Sequence, residues 1–273
     1  MSNQVELDEF KQQVADLYSQ RSNTYDEGDF HPKLAHHLIE YARIERSQKI
    51  LDIATGTGLV AIEAAQMVGS EGQVVGVDIS TGLLEQAKRK VKAAGLSNIE
   101  LMLADAETLD FPDNSFDRVL CCSALPLMTN VPADLRLWNR FLKADGLIGL
   151  CVFAETAFVA GVVLQRVAQR YGVELVMSNL TGTQEKCYTL LREAGFEDVE
   201  VKTEQFGNYI SLSEAKGGWD GGFKHPINRP LRQLKPEQLE QVKAEYEAEL
   251  EALVTDKGIW NDTTTFFVLG RKG

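Results

Sequence analysis

Three aspartates stand at the ends of short apolar runs: Asp52 in Lys49–Ala54, Asp78 after Gln73–Val77, and Asp105 after Ile99–Leu103. A carboxylate in such a place can accept hydrogen bonds from hydroxyl, amino or ammonium groups. Directly after the first run comes Ala54-Thr55-Gly56-Thr57-Gly58. Glycine lets the backbone turn sharply and approach a ligand closely. The helix expected to start there offers free N–H groups and a positive dipole end, which suit a carboxylate or a phosphate.

Gly56-Thr57-Gly58-Leu59-Val60-Ala61 matches the G-x-G-x-x-G/A dinucleotide pattern, with Asp78 placed to hold ribose hydroxyls. On this loop alone a nicotinamide dinucleotide is a serious ligand. Asp52 points elsewhere, because a carboxylate at the strand end can face the ammonium of an amino-acid ligand, which a pyrophosphate lacks. Asp105 can accept from an adenine amino group, and its small neighbours Ala104 and Ala106 leave room for a ring.

The surrounding pattern must place these groups at one edge. Apolar periodicity predicts helix over residues 7–42, where Leu34, His37, Leu38, Tyr41 and Ile44 share a face. Strand readings at Lys49–Ala54, Gln73–Val77, Ile99–Leu103, Phe116–Cys122 and Leu147–Phe153 alternate with helices at Leu59–Val68, Leu83–Ala94 and Ala133–Leu142. Such alternation implies a parallel sheet with helices on both faces and ligands at the carboxyl ends of the strands. Helices at Ala157–Tyr171 and Gln184–Ala194 precede a strand at Phe196–Glu204. The last strand, Thr264–Leu269, is far from it. The segment between, about Gly207–Asn261, contains Gly217–Gly222 and a long amphipathic helix over Glu237–Val254, and reads as an insertion.

Composition narrows the partners. The 273 residues carry a net charge of −12 with acids and bases mixed, which disfavours nucleic acid and favours a small-molecule substrate. The one dense basic cluster, Lys88, Arg89, Lys90 and Lys92, shares its helix with Glu85 and reads as a solvated face. Cys121, Cys122, Cys151 and Cys187 show no metal spacing and read as small buried hydrophobes of a reducing cytoplasm, so no metal is expected. Residues 1–6 lack a basic-then-apolar leader, and the apolar stretch Leu147–Leu164 is broken by Glu155. A cytoplasmic protein without membrane insertion is the expectation. Ala157–Leu164 is apolar all round and must be buried in a core, a pocket or a homodimer contact.

Taken together, the chain resembles the class I S-adenosylmethionine (SAM)-dependent methyltransferases. Lys49–Gly58 looks like their first motif and Val74–Ser80 like the second. Ala104-Asp105-Ala106 with Phe111–Asp117 resembles the third- and fourth-strand signatures, and Phe141–Gly146 the turn before the fifth strand. The style is that of the ubiquinone/menaquinone-biosynthesis group. Ala54 departs from the glycine often found there.

The resemblance implies an α/β, Rossmann-like fold: a mostly parallel seven-stranded sheet with an antiparallel last strand, plus a helical cap. It implies one methyltransferase domain, with residues 1–47 an N-terminal helical cap, 48–206 the SAM-binding core, 207–261 a helical insertion and 262–273 the last strand. Asp52, Ala54, Thr55, Gly56 and Gly58 would hold the methionine end. Asp78 would take the ribose hydroxyls, Ile79 would pack on adenine, Asp105 and Ala106 would frame it, and Ser123 would lie beside the sulfonium. The implied activity is in-line methyl transfer to a small hydrophobic or aromatic metabolite, leaving S-adenosylhomocysteine (SAH). The alternatives are an NAD(P)-linked oxidoreductase and a SAM-binding protein without transfer. The catalytic candidates are His31, His225 and Tyr25. His37, on the apolar face, reads as a core histidine.

Overall fold

The computed structural model describes residues 6–175 and 179–273. The leader reading rested mostly on residues 1–5, which lie outside the described residues. In chain order the elements are α1 (Glu9–Arg21), α2 (Phe30–Ala42), β1 (Lys49–Ile53), α3 (Leu59–Val68), β2 (Gln73–Asp78), α4 (Thr81–Ala93), β3 (Ile99–Leu103), β4 (Phe116–Cys122), α5 (Val131–Phe141) and β5 (Leu142–Phe153). There follow α6 (Val159–Arg170), α7 (Gln184–Glu193), β6 (Phe196–Glu204), β7 (Gly207–Ile210), α8 (Leu212–Lys224), α9 (Pro236–Ala252), β8 (Ile259–Asp262) and β9 (Thr265–Lys272).

Seven strands form one sheet in the order β3-β2-β1-β4-β5-β9-β6. The pairs β1–β2, β1–β4, β2–β3 and β4–β5 are parallel, and the last strand is antiparallel. The order reverses between β1 and β4, so the crevice of an open α/β sheet opens at their carboxyl ends. The core is built on buried strand residues such as Ile50, Leu51, Ile53, Val74, Val119 and Leu120. Strands buried on both faces carry near-continuous apolar runs, as β1 and β2 do.

One departure from the sequence reading is local. The helix expected over 7–42 is two helices, separated at residues 22–29, where Gly28 takes φ +81°. Asp26, Glu27, Gly28 and Asp29 supply the turn chemistry. The Gly-rich stretch 217–222 lies inside α8. A Cβ on Gly218 would sit 2.9 Å from the Ala160 Cβ, so the missing side chain lets α8 approach α6. Packing thus outweighs low helix propensity.

The chain forms two compact units. The first comprises residues 1–152, 184–202 and 266–273. The second comprises 153–183 and 203–265, so it draws on the segment after β5 as well as on the stretch read as an insertion. Its core gathers Val163, Leu164, Val167, Trp219, Tyr246 and Leu250. The helix α6 packs one face, Val163, Leu164, Val167 and Ala168, into this core while Arg166, Gln169 and Arg170 stay exposed, and β7 pairs antiparallel with β8 within the same unit. All four cysteines are free thiols. Among the described residues no helix is long and apolar enough to cross a membrane, and no group of His, Cys, Asp or Glu is arranged to hold a metal.

Candidate active site

The site lies in the first unit and begins with the turn after β1. Ala54, Gly56 and Gly58 all take positive φ, at 53°, 58° and 82°. Gly58 is needed twice over, since a Cβ there would stand 3.2 Å from the Ala87 Cβ of α4. Ala54 adopts the left-handed region with a Cβ, which costs about 1–2 kcal/mol. The turn delivers α3 with no side-chain cap at its N-terminus. The Asp52 carboxylate instead accepts from the Ala61 N–H in the first turn, which leaves the N–H groups of Leu59 and Val60, both at the crevice, without a side-chain cap.

Asp52 is 1 % exposed and accepts from the Thr55 hydroxyl at 2.6 Å. Burial, reinforced by the Asp78 charge, pushes its carboxyl up to about 7. Asp78 accepts from the N–H groups of Gly56 at 2.8 Å and Ser80 at 2.7 Å. Burial still dominates, and its carboxyl is raised to about 6. Both groups are held by hydroxyl and N–H donors while buried in an apolar wall. That environment penalises an uncompensated anion and welcomes a cationic or donor-rich ligand.

Asp105 accepts from the Glu107 N–H at 3.0 Å through Oδ1 and from Lys11 Nζ at 2.6 Å through Oδ2. Lys11 also reaches Glu107 at 3.2 Å. This lysine of α1 was not picked out from the sequence, because its partner is 94 positions away.

Two adjoining pockets share Tyr25, Ala54, Gly56, Cys122 and Ser123 in their walls. The larger, about 720 Å³ and partly open to solvent, is lined by Asp78, Ile79, Asp105 and Ala106 together with Tyr18, Leu127 and Met128. The smaller, about 370 Å³, is lined by Asp52, Thr55, Thr57 and His31. All ten residues expected at the cofactor site therefore line one crevice except Gly58, which shapes the turn from behind. Ser123 takes φ +60°, and its hydroxyl lies 3.6 Å from the Cys151 sulfur.

Of the catalytic candidates, Tyr25 and His31 meet. Their rings stack at 4.3 Å, and His31 Nδ1 lies 3.0 Å from the Tyr25 carbonyl oxygen. A carbonyl only accepts, so Nδ1 carries the proton and Nε2 keeps its lone pair. Burial lowers the His31 pKa and raises that of Tyr25 beyond its ordinary value, so both are neutral near pH 7. His225 belongs to the second unit, where its Nδ1 accepts from the Ile227 N–H at 3.3 Å.

The segment between α1 and α2 is tied to the glycine turn. The Thr57 hydroxyl donates to Asp26 at 2.6 Å, and Lys90 Nζ reaches Asp26 at 2.5 Å. Lys90 thus leaves the solvated face expected of its cluster, whereas Lys88 stays exposed and pairs with Glu85. Ser19 and Ser80 share a hydrogen bond at 2.8 Å, and the Ser80 hydroxyl caps α4.

Comparison with known proteins agrees with this geometry. A family model described as a methyltransferase domain matches residues 50–146. Aklanonic acid methyltransferase DauC from Streptomyces sp. (strain C5) is 34 % identical over 154 residues, covering 56 % of this chain and 69 % of that protein. Demethylmenaquinone methyltransferase from Geobacillus kaustophilus is 31 % identical over 193 residues, covering 65 % and 82 %. The crystal structure of a putative methyltransferase from Bacillus halodurans has the same fold at a TM-score of 0.57, with 20 % identity over 87 % of this chain and 98 % of that one. The oxidoreductase and non-transferring alternatives are not favoured. The turn that the sequence left open between a dinucleotide and SAM thus sits in a chain that belongs to the class I SAM-dependent methyltransferases.

Proposed function

We propose that the crevice at the ends of β1, β2 and β3 binds SAM and presents its methyl group to a small hydrophobic or aromatic acceptor. The observation that carries this reading is the row of Asp52, Asp78 and Asp105 along one continuous wall. The donor set fits the cofactor. Asp52 answers the ammonium, the open start of α3 the carboxylate, Asp78 the ribose hydroxyls and Asp105 the adenine amino group. Thr55, Gly56, Gly58 and Ala54 shape the turn around the methionine end. Ile79 and Ala106 flank the base, and Ser123 stands beside the sulfonium.

When bound, SAM supplies an electrophilic methyl group that needs an aligned nucleophile more than it needs acid–base help. The chain's part is to align, to exclude water and to take a proton where the acceptor must lose one. His31 Nε2 is the base of this proposal, and the Tyr25 ring is the wall that orients it. The apolar lining by Val14, Ala15, Leu127 and Met128 supports an apolar acceptor. So do the relatives named for aklanonic acid and demethylmenaquinone. A cytoplasmic enzyme with one methyltransferase domain, acting on a metabolite rather than on nucleic acid and able to pair as a homodimer, completes the proposal.

The test is SAM turnover to SAH with two acceptor panels, quinols and phenols in one, DNA and RNA in the other. Turnover confined to the small aromatic panel supports the proposal. Turnover confined to nucleic acid contradicts it.

A further inference from the structure

The cluster behind the adenine end of the crevice contains Asp105, Glu107 and Asp134 with Lys11 set among them. Lys11 is 9 % exposed and lies on α1. It pairs with Asp105 at 2.6 Å and Glu107 at 3.2 Å, and both it and Asp105 line the larger pocket. Glu107 in turn accepts from the N–H and hydroxyl of Thr129. Asp134, on α5, is 4 % exposed and has a carboxylate oxygen with no hydrogen-bond partner. Its carboxyl is raised to about 7, first by burial and then by Glu107, with Lys11 opposing.

We propose that Lys11 is a specificity-determining positioning residue: its ammonium fixes one oxygen of Asp105, holds the carboxylate at the pocket wall as an acceptor, and so makes the site select a 6-amino over a 6-oxo purine. This rests on the reading that adenine lies against Asp105. An ionised carboxylate accepts from the 6-amino group and repels a 6-carbonyl oxygen. Stripped of their shared ammonium, Asp105 and Glu107 repel each other, and Asp105 keeps only the Glu107 N–H to hold it at the pocket wall. A carboxylate that has turned from the wall neither accepts from the amine nor repels the carbonyl, so the preference shrinks. Burial alone would lower the Lys11 pKa, but its hydrogen bonds to Asp105 and Glu107 raise it, so the ammonium persists through the neutral range.

The experiment measures binding of SAH and of S-inosyl-L-homocysteine to the full chain by calorimetry at pH 6.5. Wild type is expected to prefer SAH. Lys11→Met should shrink that preference at least tenfold, chiefly by weakening SAH, and Lys11→Arg should retain it. A substitution that merely loosened α1 would weaken both ligands alike and leave the ratio unchanged, and that result overturns the role of Lys11. Asp105→Asn separates this failure from a deeper one. If its ratio also equals that of wild type, adenine does not lie against Asp105, and the inference falls with the reading beneath it. Lys11→Gln repeats the measurement should the methionine variant not fold.

Discussion

Asp52 and Asp78 stand on adjacent parallel strands, and one turn grips both: Thr55 donates its hydroxyl to Asp52 at 2.6 Å, and Gly56 its N–H to Asp78 at 2.8 Å. The two carboxylates are thereby buried, oriented and electrostatically linked before any ligand arrives. Their raised pKa values make that preorganisation visible to experiment.

Cofactor affinity should depend on pH in a defined sense. With Asp52 raised to about 7 and Asp78 to about 6, both are largely protonated at pH 5.5. Facing an ammonium or ribose hydroxyls requires the ionised forms. Apparent affinity is reduced by the competent fraction, roughly 30-fold for Asp52 alone at pH 5.5. SAH should therefore bind roughly 30-fold or more tightly at pH 7.5 than at pH 5.5, with protons released on binding. Calorimetry in buffers of different ionisation enthalpy checks both. Flat affinity across this range would show that neither carboxylate changes its protonation on binding.

Stability of the ligand-free protein should run the other way. A carboxyl raised in the folded state binds more protons there than in the unfolded chain between pH about 4 and 7, so its contribution falls as pH rises through that window. Asp52→Asn, an isosteric change to a neutral group, should reduce the fall in melting temperature between pH 5.5 and 8 while abolishing tight SAH binding. A variant that melts like wild type at both pH values would contradict the assigned cost of burying that charge.

Ala54 offers a stability gain. Ala54→Gly relieves left-handed strain of about 1–2 kcal/mol, partly offset by the extra unfolded-state freedom of glycine, about 0.5–1 kcal/mol. Urea unfolding should show a net gain of about 0.5 kcal/mol or more, and Ala54→Val a loss. A destabilised glycine variant would mean that the alanine methyl earns more by packing than its φ of 53° costs.

The role given to His31 predicts a split between binding and turnover. His31→Asn should lower kcat at least tenfold for an acceptor that must lose a proton, with SAH affinity changed less than threefold. Equal losses in both would identify a structural part of the wall rather than a base.

Much of this site was legible in the sequence because its chemistry is local. Gly56 and Gly58 follow a strand within six residues of Asp52, and Asp78 and Asp105 follow runs whose apolarity marks strands. What was not legible is carried by pairs distant along the chain. Lys11 meets Asp105 across 94 positions, and Asp26 meets Thr57 across 31. No periodicity reports such contacts. The break between α1 and α2 was legible at Asp26–Asp29 and at Pro32, although the apolar pattern resumes after it. The helix through Gly217–Gly222 contradicts local propensity and exists because α6 needs a flat neighbour.

Asp78 decides whether the row of strand-end carboxylates is the SAM site. Its carboxylate would accept from two ribose hydroxyls, and each hydrogen bond to a charged group is worth about 1.5–3 kcal/mol. Calorimetric titration of Asp78→Ala with SAH at pH 7.5, beside wild type, should show affinity reduced about 100-fold or more in a variant that remains folded. Unchanged affinity would contradict the account.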